Sequence, residues 1–202
     1  MAEHDSTSTP EIILASASPR RAALLAQIGL PFRVVPSGLE ENGTPPSQQI
    51  ADHERQACAL ARAKAEDVAG RLRRGLVIGA DTIVVCEGMP YGKPRDAQEA
   101  EAILLRLAGR THHVITAVAV VDAASGQSEE AAAVTAVHMR QIDGHEAAAY
   151  VATGEPMDKA GAYGIQGRGA LLVDRIEGDY SAVVGLPLPT LATLLGRFGV
   201  RV

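Results

Sequence analysis

The stretch "LVIGADTIVVCEG", residues 76–88, decides how the chain is read. Val77, Ile78, Ala80, Ile83, Val84 and Val85 predict a buried strand, and Asp81-Thr82 interrupts it. A buried carboxylate without a partner costs several kcal/mol, so Asp81 needs a cation, a donor set or water. Two readings are open. Either the strand ends at Gly79 and Asp81 caps a turn, or it runs on with a carboxylate in its middle. A residue that breaks a local rule inside a consistent strand marks where function is to be sought.

Upstream, residues 50–75 read as a long amphipathic helix that carries Lys64. Before it, "GLEENGTPPSQ" (38–48) is a polar Gly/Pro loop, and "FRVVPS" (32–37) and "EIILAS" (11–16) are short strands. Between those strands, "LASASPRRAALLAQIG" (14–29) predicts a helix from Pro19 to about Ile28. Ser18 is its N-cap, Pro19 its first residue, and Gly29 its stop. Arg20 and Arg21 sit in the first turn, where the helix dipole disfavours cations. That cost disappears if the free N–H groups and two guanidinium forks together receive a polyanion.

Downstream, "MPYGKP" (89–94) is a turn holding Lys93, and Asp96 with Glu99 forms a capping box for a helix over 97–109. "HHVITAVAVVD" (112–122) and "AAAVTAVHMRQI" (131–142) are neighbouring strands across "AASGQ". A helix capped by Asp143 follows, then the loop "EPMDKAGAYGIQGRG" (155–169). "ALLVDRIEGDYSAVVG" (170–185) reads as two strands joined at Glu177-Gly178-Asp179, and a last helix follows Pro189. This is an α/β chain with a mixed, twisted sheet. Residues 1–10 are expected to be a disordered tail and 11–202 a single domain.

Composition narrows the function. With 3% aromatic residues and no Trp, the chain lacks stacking platforms for single-stranded nucleic acid, and a formal charge of -5 disfavours a duplex-binding face. An acidic protein can still bind small anions if its cations share one cleft. Cys58 and Cys86 form no CxxC pair and read as reduced, structural thiols. No His or Cys spacing fits zinc; His112 and His113 point to opposite faces of a strand. No apolar run reaches the roughly 20 residues that span a bilayer, so a cytoplasmic chain without a membrane partner is expected.

Judged alone, Lys64 and Lys93 are surface lysines, and Glu40-Glu41 is a solvated pair. Beside Asp81, that pair could help hold a hard divalent ion, which takes one or two carboxylates plus phosphate oxygens. "DKAGAYGIQGRG" (158–169) carries four glycines in a dozen residues, so its backbone can approach a ligand closely. Lys159 and Gln166 supply side-chain donors there. Its spacing matches neither the Rossmann fingerprint nor the P-loop.

Taken in order, "LASASPRRAALLAQIG", "VIGADTIVV", "YGKP", "LAGRTHHVITAV", "DKAGAYGIQG" and "GDYSAVVGLPL" closely resemble the Maf family of nucleotide pyrophosphatases, from about Ile12 onward. The resemblance implies an elongated two-lobed α/β fold shared with inosine-triphosphate pyrophosphatases, its active cleft between the lobes. It implies hydrolysis of a nucleoside triphosphate to the monophosphate and pyrophosphate with a divalent cation, Mg²⁺ first and Mn²⁺ or Co²⁺ as substitutes. It puts the proton acceptor on Asp81, specificity positions on Arg20, Thr82 and Gln166, and the loop glutamate on Glu41, with Glu40 the neighbouring register. Lys64 and Lys93 match the helix and "GKP" lysines.

The expected substrate-binding residues are then Ser16, Ser18, Arg20, Arg21, Lys64, Thr82, Lys93, Lys159 and Gln166, with Glu41 and Asp81 as metal ligands. An ordinary aspartate is a weak base at neutral pH, so metal ligand and water-positioner is the favoured role for Asp81. "DKAGAYGIQG" resembles the branch acting on dTTP and UTP, and a Gln amide matches the O4 and N3–H of uracil or thymine. The rival readings are a pyrophosphatase for 7-methyl-GTP or a non-standard purine, and a nucleotide-sensing regulator of septum formation. A homodimer is a family-level expectation.

Overall fold

In the computed structural model, strand β3 (Leu76–Cys86) runs unbroken through Asp81-Thr82, so the turn reading of that stretch is set aside. The structure describes residues 10–39 and 44–202. The tail expected over 1–10, apart from Pro10, and the Glu40-Glu41 pair therefore lie outside the described residues.

In chain order the elements are β1 (Ile12–Leu14), α1 (Pro19–Gln27), β2 (Phe32–Val34), α2 (Ile50–Ala69), β3, β4 (Met89–Tyr91), α3 (Ala97–Leu107), β5 (Thr111–Asp122), β6 (Ser128–Met139) and α4 (Gly144–Val151). Three short 3-10 turns (Glu155–Asp158, Ala160–Ala162, Gly167–Leu172) lead to β7 (Val173–Glu177), α5 (Tyr180–Val184) and α6 (Leu188–Arg197). The described strands make one seven-stranded mixed sheet in the order β2-β1-β3-β5-β6-β7, with β4 also on β3. β1 pairs in parallel with β2 and β3; every other pairing is antiparallel.

Alternation along β3 divides the packing between two faces. Ile78 and Ala80 face Leu14, Leu25, Leu191 and Leu195, the core built by α1, α6 and the end of α5. Ile83 and Val85 lie on the opposite face beneath α2, with its Ala57 and Ala61. α2 buries small residues at Ala57, Ala61, Ala65 and Val68, a stripe at helical spacing that lets its axis lie close to the sheet. The far end of β3 has its own core: Val84 and Cys86 pack with Leu104 and Leu107 of α3 and Tyr150 and Val151 of α4. Truncating a fully buried leucine in such a core costs about 2–5 kcal/mol. No helix among the described residues is long and apolar enough to cross a membrane.

Three local expectations are corrected. "MPYGKP" contributes a strand, because Glu87 (φ 51) and Gly88 (φ 76) form a two-residue hairpin turn that folds Met89–Tyr91 back on Val84–Cys86. "DYSAVVG" is helical, not a strand. The Asp179 carboxylate accepts from the Ser181 N–H (2.7 Å) and hydroxyl (2.6 Å), and that N-cap outweighs the β preference of Val183-Val184. At α3 only half of the capping box forms. Asp96 accepts from the Glu99 N–H at 2.8 Å, while Glu99 turns to the Arg95 N–H and guanidinium. The full box forms at α4, between Asp143 and Glu146.

Candidate active site

The site begins as a gap in the sheet. On one side β3 pairs with β5 from Leu76 to Val85. On its other side β1 takes Leu76–Ile78 and β4 takes Val84–Cys86, leaving Gly79–Ile83 with no strand beside them on that edge among the described residues. The chain leaves β1 at this point: the Ala15 N–H makes a last bond to the Ile78 carbonyl, and residues 16–18 turn away into α1. A cleft of about 840 Å³ opens over the gap. Ser16, Ser18, Arg20, Arg21, Lys64, Asp81, Thr82, Lys93, Lys159 and Gln166 all line it, so every expected site residue within the described chain converges there.

The floor is a buried ion pair. Lys64 Nζ donates to Asp81 Oδ1 at 2.7 Å, and each side chain is only 8% exposed. Lys64 is thus no surface lysine; it belongs to the inward face of α2. Gly79 makes this possible. A Cβ there would lie 2.1 Å from the Ala61 carbonyl oxygen and 2.8 Å from the Ala65 nitrogen, so only glycine lets the α2 backbone rest on β3. Two residues along the same face of β3, Asp81 meets Lys64 three residues beyond Ala61. Removing Lys64 would leave the Asp81 carboxylate buried without its cation, at a cost of about 3–5 kcal/mol.

Thr82 points to the other face. Its hydroxyl lies 3.1 Å from that of Thr116, its register partner on β5, and Thr116 donates onward to the Ala182 carbonyl at 2.7 Å. Arg21 spans this corner, donating to the Gly185 carbonyl (2.8 Å), Ser16 Oγ (3.1 Å) and Thr82 Oγ1 (3.4 Å). Its guanidinium therefore braces β1, β3 and the end of α5 against one another, and the dipole cost expected of it is met by protein oxygens. Ser18 is the N-cap by backbone, but its side chain makes no capping bond; its N–H reaches Ser16 Oγ at 3.3 Å.

The mouth is cationic and glycine-rich. Arg20 reaches Asp158 at 2.6 Å, and Lys159 donates to the same carboxylate at 2.7 Å. Lys93 stands exposed in the turn after β4, and the Gly161 N–H bonds the neighbouring Gly92 carbonyl at 3.1 Å. Gln166 is exposed on the far wall. Its loop is pinned from behind: the Gly164 N–H donates to the Tyr150 hydroxyl at 3.2 Å, and Glu155 accepts from the Arg168 and Gly169 N–H groups. Tyr163, also a wall residue, meets His112 Nε2 at 2.7 Å with the rings edge to face. Burial, with His113 and His138 adding to it, pushes the His112 imidazole down to about 4, so it is neutral at physiological pH.

Among the described residues no cluster of three or more His, Cys, Asp or Glu could hold a metal by itself. Among the described residues, Asp81 and Asp158 are the carboxylates that line the cleft, Asp81 on its floor and Asp158 at its mouth.

The model of the family described as "Maf-like protein" matches residues 11–198. The chain belongs to the Maf family. Over 195 residues it is 53% identical to a dTTP/UTP pyrophosphatase of Moorella thermoacetica, covering 95% of this chain and 97% of the relative. Over the same length it is 49% identical to the dTTP/UTP pyrophosphatase of Pelotomaculum thermopropionicum, covering 95% and 98%. The protein of the same description from Dictyoglomus turgidum is 49% identical over 189 residues, covering 94% and 96%.

Four residues that line or support this Maf cleft escaped the reading of the sequence. Gly79 and Thr116 carried a signal, each being out of place in an apolar strand. Asp158 stands next to Lys159 in the quoted motif, where no role was assigned to it. Gly185 contributes a carbonyl, and nothing in a sequence marks a carbonyl.

Proposed function

We propose that the chain is a nucleoside triphosphate pyrophosphatase acting on dTTP and UTP, releasing the monophosphate and pyrophosphate. One observation carries the reading: a buried carboxylate, Asp81, sits on the floor of a cleft whose walls hold Arg20, Lys93 and Lys159. A protein that only sensed nucleotides would need the cations but gain nothing from a carboxylate aimed among phosphates. The relatives' description as dTTP/UTP pyrophosphatases supports the same substrates.

In this mechanism the triphosphate lies along the gap in β3, its charge spread over Arg20, Lys93 and Lys159. Asp81, oriented by Lys64, positions a water against the α-phosphorus. The new bond forms from water oxygen to phosphorus, the water's proton is released to solvent, the α–β bridging bond breaks, and pyrophosphate leaves. Arg21 and Thr82 hold the wall against which the sugar and base rest. The Gln166 amide offers a donor and an acceptor to O4 and N3–H of the base. A divalent ion, Mg²⁺ first, would be held by Asp81 with phosphate oxygens and would supply charge neutralisation at the reacting phosphate. Glu41, the other expected ligand, lies outside the described residues.

The test is pyrophosphate release from dTTP, UTP, CTP, ATP, GTP and 7-methyl-GTP, with and without Mg²⁺. Turnover confined to dTTP and UTP supports the proposal. Preference for 7-methyl-GTP or a purine would overturn the substrate assignment, and binding without turnover would favour the regulator.

A further inference from the structure

Asp158 does something at the mouth that the reaction itself does not need. Its carboxylate is split between two cations, Oδ2 to Arg20 Nη1 at 2.6 Å and Oδ1 to Lys159 Nζ at 2.7 Å, much as a phosphate would divide its oxygens. The partners come from separate walls: Arg20 from the first turn of α1, Asp158 from the end of the turn Glu155–Asp158, 138 residues away. Arg20 Nη2 also approaches the Asp158 carbonyl at 3.4 Å. Lys159 has an anchor of its own, donating to the Glu155 carbonyl at 2.5 Å, so it stays in place if Asp158 lets go. The Asp158 side chain is 59% exposed while Arg20 (27%) and Lys159 (17%) are half-buried, and ion pairs with a solvent-open partner are worth about 0.2–1 kcal/mol. The contact is weak enough for a polyanion to break.

We propose that Asp158 is a resident anion that competes with the ligand's phosphates for Arg20 and Lys159. It bridges the mouth when the cleft holds no phosphate, yields to the incoming chain, and retakes both cations as pyrophosphate leaves. The inference rests on the phosphate-binding cleft proposed above. It assigns Asp158 to the control of affinity and product release, and not to the chemical step.

Titration calorimetry with inorganic pyrophosphate and Mg²⁺ tests this directly. Asp158→Asn should bind pyrophosphate about two- to fivefold more tightly than the parent, the gain expected from losing a competitor of this strength. Its KM for dTTP should fall and product inhibition should deepen, with kcat lowered where release limits turnover. Asp158→Glu, which keeps the charge, should resemble the parent. Glu101→Gln, which removes a carboxylate from α3 away from the cleft, should leave pyrophosphate binding unchanged. If Asp158→Asn binds pyrophosphate equally or more weakly, Asp158 merely orients Arg20 and the proposal fails. Absence of nucleotide turnover by the parent protein would count against the proposed function instead, because pyrophosphate binding is read without catalysis.

Discussion

Gly79→Ala adds one methyl group at the point where α2 lies on β3. That Cβ would fall 2.1 Å from the Ala61 oxygen, 2.8 Å from the Ala65 nitrogen and 3.0 Å from the Ala65 Cβ. Carbon–oxygen contacts ordinarily begin near ~3.3 Å, so α2 must retreat by roughly 1 Å. The obstacle is backbone on both sides, and no side chain can swing aside. Overpacking of this kind costs about 1–3 kcal/mol, which for a chain of this length lowers Tm by roughly 2–12 °C. The same retreat carries Lys64 away from Asp81 and stretches a 2.7 Å bond beyond hydrogen-bonding range. Misplacing a catalytic group by about 1 Å can cost 10²-fold in rate. Thermal unfolding by circular dichroism and dTTP turnover should therefore fall together, with turnover falling about 10–10²-fold. A Gly79→Ala protein with parental Tm and parental kcat would refute the claim that this close approach builds the site.

Lys64→Met should destabilise the fold by about 3–5 kcal/mol, because it strands Asp81 on the cleft floor. Denaturant unfolding would show this as a lower midpoint, and turnover should be lost with it. His112 gives a pH dependence whose sign follows from its downward shift. Between pH 6.5 and about 4 the unfolded chain takes up a proton that the buried imidazole refuses, so stability falls as the pH drops through that window and levels off below it. The loss amounts to roughly 3 kcal/mol, and His112→Phe should flatten that part of a stability-against-pH curve.

Much of the cleft was legible because its residues violate local patterns. Asp81 and Thr82 in an apolar strand, and two arginines at the head of a well-capped helix, are costly until a partner is supplied. The partners came from elsewhere in the chain, and those could not be read. Lys64, judged alone, reads as a surface lysine, and only the close docking of α2 at Gly79 carries it inward. Arg21 reads from the sequence as a ligand-binding cation, and the fold also sets it against the Gly185 carbonyl, Ser16 and Thr82. The misread strand at 180–185 turned on one side chain, since Asp179 starts a helix where valines favour extension. The mixed sheet followed from alternating apolar runs. The gap between β1 and β4 did not, because it depends on where two short strands stop along a longer one.

The central claim is that the carboxylate in the gap of β3 acts on a bound triphosphate. Asp81→Asn tests it most directly, since the amide keeps an oxygen for the Lys64 ammonium while losing the charge. Pyrophosphate release from dTTP should drop by about 10²–10⁴-fold, with dTTP binding by calorimetry largely retained. Parental turnover in this variant, or binding lost in step with turnover, would contradict the claim.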